Sequence, residues 1–230
     1  MKAFLLAAGL GTRLRPITDT IPKCLVEVHG KPMLYWWNKL FERYNIDVVL
    51  INTHHLAEKV RDFIISLDSK IFWEESYEKK LLGSAGTLRI NKPFVRGEED
   101  FFIIYADVFT NCDFGKVLKF HRDNKSQFTM VVAEVNDPQN KGIVEIDKNN
   151  IITSFIEKPQ EPIGKIANMG IFVCTPPILD LILKQEYADM GIDLLPQLLG
   201  KMLAYKSDEY FCDIGTLENL KIAENTWQNE

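Results

Sequence analysis

The chain has 230 residues, 46% hydrophobic and 26% charged, which is enough for one large α/β domain with a full core and too short for two generous ones. A formal net charge of -5, with no basic run interleaved with aromatics, argues against a nucleic-acid surface, and no stretch approaches the roughly 18 apolar residues of a membrane span. The four cysteines, Cys24, Cys112, Cys174 and Cys212, form no C-x-x-C pair, so neither a zinc site nor a disulfide framework is indicated; a soluble, unprocessed chain in a reducing cytoplasm is expected.

Ala3, Phe4, Leu5 and Leu6 predict a buried strand that opens at once into Ala7-Ala8-Gly9-Leu10-Gly11-Thr12-Arg13-Leu14-Arg15-Pro16, with Pro22-Lys23 following. Glycines let successive N–H groups point into one concavity, Arg13 can grip phosphate oxygens bidentately, and Lys23 adds a point charge. This is the composition of a polyphosphate site. The loop lacks the G-K-[ST] ending of a P-loop, and Leu14 stands where a dinucleotide fingerprint wants its third glycine, so neither an ATPase nor a dehydrogenase follows.

Further along, strand-length and helix-length segments alternate through Met33–Tyr44, Val48–Asn52, Leu56–Leu67, Ile71–Glu74, Ala85–Ile90, Phe101–Tyr105 and Phe114–His121, which predicts crossovers and a mainly parallel sheet. Then Phe128–Val135, Gly142–Ile146, Ile151–Phe155 and Gly170–Cys174 predict strands without intervening helices, with Asp147-Lys148-Asn149-Asn150 as a hairpin turn. Helices are expected again at Pro177–Gln185, Asp193–Leu199 and Leu217–Trp227.

Ligands of open α/β sheets bind beyond the carboxyl ends of the strands, and three candidates sit there. One is the glycine-rich loop, and another is Asp107, whose carboxylate emerges from a buried strand and so wants a cation. The third is Asn52-Thr53-His54-His55, but Asn52 and Thr53 suit a turn and helix cap, and no third metal ligand is close in sequence. Asp213 precedes a predicted helix, where it could cap; paired with Asp107 it forms the incomplete protein cage usual for Mg²⁺. Pro159 is expected to hold Lys158 in extended backbone. Asn168 can both donate and accept a hydrogen bond, and Gly142 would let backbone pass close to a neighbouring group.

The run from Leu6 through Lys23, including Thr18, resembles the opening pattern of the sugar-1-phosphate nucleotidyltransferases, or nucleotide-sugar pyrophosphorylases, roughly L-A-[AG]-G-x-G-x-R-L-x-P-x-T followed by P-K. Leu82-Gly83-Ser84-Ala85-Gly86-Thr87, Ala106-Asp107, Gly142-Ile143-Val144, Glu157-Lys158-Pro159, Asn168-Met169-Gly170 and Asp213-Ile214-Gly215-Thr216 follow in that family's order, so the likeness covers essentially the whole chain. Ala106 stands where the family often has glycine.

The resemblance implies a Rossmann-like three-layer αβα fold with a mixed, mainly parallel central sheet. It further implies one catalytic domain over residues 1–230, with a nucleotide-binding part at about 1–125 and a sugar-phosphate part at about 126–230. Nucleotide contacts fall to Leu6, Ala7, Ala8, Gly9, Gly11, Thr12, Arg13, Lys23, Glu78, Gly83, Ser84 and Ala85. Asp107 and Asp213 would bind Mg²⁺, and Gly142, Glu157, Lys158 and Asn168 would hold the sugar phosphate. Arg13, Lys23 and Lys158 would be the catalytic cations.

The implied partners are a nucleoside triphosphate and a sugar-1-phosphate, with no nucleic acid or membrane, and a homo-oligomer is allowed. Glu78 could accept from the N1–H and N2–H₂ edge of guanine, which favours GTP with a mannose-like or heptose-like 1-phosphate, unless Glu78 is simply solvated. UTP or dTTP with a hexose-1-phosphate, or CTP with a non-sugar phosphate such as phosphocholine, are the enzymatic alternatives. A regulatory nucleotide-sugar-binding subunit is the non-catalytic one, disfavoured by the intact carboxylates and cations. Because the sequence stops soon after the helix following Asp213, a second, acyl-transferring repeat domain is not expected.

Overall fold

The computed structural model describes residues 1–227 and divides into two compact units. Met1–Leu81, Ile104–Cys112 and the segment from Glu209 onward form the first; Leu82–Ile103 and Asp113–Asp208 form the second. The fold is of the expected Rossmann-like α/β class with a mixed central sheet of mainly parallel strands.

In the first unit Lys2–Leu6, Val48–Thr53 and Phe72–Tyr77 pair in parallel, with Leu6 opposite Asn52 and Thr53 opposite Tyr77. Ala3, Phe4 and Leu5 are fully buried, as a strand covered on both faces requires. Helix Met33–Arg43 makes the first crossover and buries Met33, Leu34, Trp37, Leu40 and Phe41, a stripe at helical spacing. Helix Ala57–Ser66 makes the second.

Two short ladders were not anticipated: Glu27–Val28 with Lys31–Pro32, and Val108–Thr110 with Phe211–Asp213, both antiparallel. The second is anchored by an aromatic cluster. The Trp227 ring lies 4.6 Å from Phe109, 5.2 Å from Tyr210 and 6.3 Å from Trp36, between ring centroids. The helix Leu217–Thr226 thereby closes over the strand that carries Asp213.

Trp227→Ala is expected to cost about 2–3 kcal/mol, since the truncation opens a cavity under three rings. At about 2–4 °C per kcal/mol the melting temperature should fall by about 4–12 °C in differential scanning fluorimetry. An unchanged melting temperature would show that the cluster does not hold the C-terminal helix.

The second unit is dominated by antiparallel pairing. Gly142–Ile146 and Ile152–Glu157 form the predicted hairpin, and Ile166–Cys174 pairs with Phe128–Glu134. The hairpin turn is fixed by Asp147, whose Oδ1 accepts from Asn149 N (2.9 Å) and Ile151 N (2.8 Å). A further strand, Leu203–Lys206, runs parallel to Phe128–Glu134 and was not anticipated.

Two expected α-helices are replaced by tighter or wider turns. Pro176–Leu181 is a 3-10 turn, and Met190–Leu194 is a π turn running into the 3-10 turn Leu195–Leu198. Pro196 lacks the N–H that an α-helix continuing from Met190–Leu194 would need.

Candidate active site

The glycine-rich loop leaves the first strand at Leu6. Gly11 takes φ 63°, and a Cβ there would stand 2.8 Å from Thr18 Cγ2 and 3.3 Å from Lys23 Cβ, so only glycine lets the loop fold back on itself. Thr18 Oγ1 donates to Gly11 O (2.7 Å) and Leu14 N donates to the same carbonyl (2.9 Å), closing the turn Thr12–Leu14 that presents Arg13.

Asn52 is not the expected turn residue and Thr53 is not a helix cap; both belong to the strand Val48–Thr53, and the following helix begins after Leu56 with no side-chain cap. The parallel register sets Asn52 beside Leu6, where its Oδ1 accepts from Ala7 N (2.6 Å) and Ala8 N (3.3 Å). Its Nδ2 donates to Glu78 Oε1 (2.8 Å). Glu78 is 3% exposed, so it is buried rather than solvated. His54 Nδ1 lies 2.7 Å from Glu78 O and His55 Nε2 lies 3.1 Å from Thr18 O, so both rings tie down backbone carbonyls.

The two aspartates meet through the short ladder. Asp213 stands opposite Val108, and Ile214 N donates to Asp107 O (2.7 Å), so residues distant in sequence become backbone neighbours. Asp213 ends a strand and does not cap the helix, because Thr216 does: its Oγ1 accepts from Asn219 N (3.1 Å). Lys23 Nζ forms an ion pair with Asp107 Oδ2. A Cβ on Gly215 would lie 2.8 Å from Asp213 Oδ1 and 3.0 Å from Arg13 Nη2, so that carboxylate and that guanidinium close over the same glycine. The first unit therefore brings Arg13, Lys23, Asp107 and Asp213 to the loop.

Among the described residues no three His, Cys, Asp or Glu side chains form a complete metal cage. Two carboxylates, one at the end of a ladder strand and one just before its partner strand, are few, hard oxygen donors, which fits Mg²⁺, an ion that keeps waters and substrate phosphates in its shell, and does not fit a structural zinc. The four cysteines are buried and form no disulfide; burial pushes the Cys24 thiol up to about 12 and raises Cys174 well above the ordinary thiol range, so neither supplies a nucleophile at neutral pH.

In the second unit the Leu82–Gly86 segment is clasped by residues 187–191. Gly86 N donates to Ala188 O (3.0 Å), and Ala188 N donates to Leu82 O (2.8 Å). Ser84 Oγ donates to Asp189 Oδ2 (3.0 Å) and accepts from Met190 N (2.8 Å).

Gly83 has φ 78°, and a Cβ there would overlap Ala188 O. Gly83→Ala combines a left-handed backbone with a backbone clash and is expected to cost about 2–4 kcal/mol. The melting temperature should fall with it. An unaltered melting temperature would show that the clasp does not constrain Gly83.

Glu157 lies between two glycines. A Cβ on Gly142 would stand 2.9 Å from Glu157 Oε2, and one on Gly191 would stand 3.2 Å from the same oxygen. Gly191 and Asp189 were not anticipated; their only sequence signal was a short Asp-Met-Gly run inside an expected loop. Lys158 is not extended as its position before proline suggested: it adopts φ 46°, its N donates to Lys141 O (3.0 Å), and Nζ lies 3.4 Å from Glu157 Oε1. A non-glycine residue in that region is strained and must be held by its surroundings. Asn168 sits at a register shift in Ile166–Cys174, where its Oδ1 accepts from Gly170 N (2.9 Å).

The nucleotidyl transferase family pattern matches residues 2–230. The chain is 33% identical over 237 residues to the UTP–glucose-1-phosphate uridylyltransferase of Synechocystis, covering 94% of this chain and 60% of that protein. It is 31% identical over 220 residues to the mannose-1-phosphate guanylyltransferase catalytic subunit beta of Drosophila melanogaster, covering 93% and 59%. The chain thus spans about three-fifths of the length of these curated relatives. Among solved structures, HddC from Yersinia pseudotuberculosis complexed with GMP-PN superposes with a TM-score of 0.84 at 25% identity over 99% of each chain. The chain belongs to the nucleotidyl transferase family.

Proposed function

We propose that this chain couples a nucleoside triphosphate to a sugar-1-phosphate, giving a nucleoside diphosphate sugar and pyrophosphate. The observation that carries this reading is the convergence of Arg13, Lys23, Asp107 and Asp213 at one glycine-rich loop. Asp107 and Asp213 would hold Mg²⁺, which when bound neutralises phosphate charge. The working division is one catalytic domain, with the nucleotide handled by about residues 1–125 and the sugar phosphate by about residues 126–230.

A sugar-1-phosphate is largely dianionic near neutral pH, its second pKa being about 6, so its oxygen attacks without a general base. The obstacle is repulsion between two anions. Arg13 and Lys23 hold the triphosphate and the departing pyrophosphate, and the loop amides beyond Ala8 fix its oxygens for in-line displacement at the α-phosphorus. Lys158 grips the incoming phosphate. Glu157, wedged by Gly142 and Gly191, accepts from sugar hydroxyls, and Asn168 donates to another.

GTP with a mannose-like or heptose-like 1-phosphate is the favoured pair. A buried carboxylate at Glu78 suits guanine's N1–H and N2–H₂ edge, and the guanylyltransferase and GMP-PN relatives support the same choice. The uridylyltransferase relative keeps UTP with a hexose-1-phosphate as the second reading. Among the described residues no helix is long and apolar enough to cross a membrane.

The test is a pyrophosphate-release screen of the common triphosphates against a panel of sugar-1-phosphates and phosphocholine. Release that requires both a triphosphate and a sugar-1-phosphate is expected, fastest with GTP. Turnover with phosphocholine and CTP alone would overturn the sugar, and tight nucleotide-sugar binding without turnover would overturn catalysis.

A further inference from the structure

Asn52 joins the two ends of the nucleotide site through a single side-chain amide. Its acceptor atom faces two N–H donors, Ala7 N at 2.6 Å and Ala8 N at 3.3 Å, and its donor atom faces a carboxylate oxygen, Glu78 Oε1 at 2.8 Å. An amide turned the other way would set N–H against N–H and oxygen against oxygen, so the partners dictate one orientation. Both residues are buried, Asn52 at 4% exposed and Glu78 at 3%. A carboxylate so enclosed needs its hydrogen bonds, and hydrogen bonds to charged groups are the strong ones.

Neither partner can move alone. Glu78 is fixed along its main chain by Glu78 N to Thr53 O (2.8 Å) and by His54 Nδ1 at Glu78 O (2.7 Å). Leu6 and Asn52 are register partners in adjacent parallel strands, which sets the distance from Asn52 to the loop amides. A base that pulls on the Glu78 carboxylate therefore pulls on the Asn52 amide and, through it, on the first turn of the phosphate loop.

We propose that Asn52 is a positioning residue that transmits the fit of the nucleobase at Glu78, through Ala7 and Ala8, to the phosphate-holding loop that follows them, so that base discrimination depends on Asn52 although Asn52 need touch no substrate. The proposal rests on the nucleotidyl-transfer reading and on Glu78 facing the base.

The test compares wild type with Asn52→Asp, which keeps an acceptor for the loop amides but sets a second carboxylate against Glu78, and with Asn52→Ser, which is too short to span both. The measured quantity is the ratio of kcat/KM for the preferred triphosphate to that for the second best, beside the KM for sugar-1-phosphate. Loss of a hydrogen bond to a charged group corresponds to about 10–100-fold. Both variants are expected to raise triphosphate KM and shrink the ratio about tenfold or more, with the sugar-1-phosphate KM unchanged.

A lowered melting temperature with an unchanged ratio in a folded variant would overturn the proposal, as would equal loss for every triphosphate. Should Asn52→Asp not fold, Asn52→Ser gives the same readout. If wild type releases no pyrophosphate with any pair, the parent reading fails. Calorimetric titration of GTP and UTP then decides the Asn52 claim alone: a shrunken affinity ratio in the variants supports it, and an unchanged ratio overturns it.

Discussion

Asp107→Asn is expected to lower pyrophosphate release by about 10³-fold, the scale at which removing one preorganised electrostatic group acts on a charged transition state. The substitution preserves size and removes only charge. Asp107 takes its place from the end of the strand Phe101–Tyr105, with Ala106 N donating to Leu6 O (3.0 Å), and from Ile214 N on its own carbonyl, so the backbone does not depend on the carboxylate. Folding should accordingly change little, because the Lys23–Asp107 ion pair is partly solvated and is worth about 1 kcal/mol or less. Asp213→Asn should lose activity to a similar degree. The measurement is coupled pyrophosphate detection over a Mg²⁺ series, with circular dichroism as the control; turnover within about fivefold of wild type would remove Asp107 from the ligand set.

Arg13→Ala should cost about 10²-fold in kcat, with a higher triphosphate KM, because its guanidinium is an exposed cation of the loop and closes over Gly215 beside Asp213. Arg13→Lys should recover only part of the loss, since an ammonium cannot reproduce a bidentate grip. Steady-state kinetics with the triphosphate varied at saturating sugar-1-phosphate separates the two effects. Full activity in the lysine variant would mean that Arg13 contributes charge alone, and full activity in the alanine variant would place the phosphates elsewhere.

Of the parallel strands of the first unit, Val48–Thr53 was legible as an apolar run rich in β-branched residues and Lys2–Leu6 as a short apolar run, whereas Phe72–Tyr77 carries Glu74, Glu75 and Ser76 and shows little apolar signal; the loop was legible because glycines and cations follow the first strand at once. The hairpin was legible because Asp147 and Asn150 are turn residues between two strand-length runs.

What could not be seen was long-range pairing. Val108–Thr110 and Phe211–Asp213 are three residues each, too short to display a period, and their partnership depends on the aromatic cluster beneath them. The apposition of Asp107 and Asp213 therefore came from the order of motifs and not from any local signal. Asn52 looked like a turn residue because asparagine usually is one; its role follows only from the register that sets it beside Leu6. Lys158 departed from the preference of a residue before proline, and Ile166–Cys174 hid its register shift at Asn168 inside an apolar run. Departures of this kind cluster where the proposed sugar-phosphate residues lie, as expected where local preference yields to a site's geometry.

Anomalous diffraction from crystals grown with Mn²⁺ and a non-hydrolysable triphosphate tests the metal and phosphate arrangement most directly. The expected map has a Mn²⁺ peak bonded to carboxylate oxygens of both Asp107 and Asp213 and to a phosphate oxygen, with Arg13 and Lys23 on the triphosphate. Nucleotide density away from the glycine-rich loop, or a metal that touches neither aspartate while the triphosphate is in place, would contradict it.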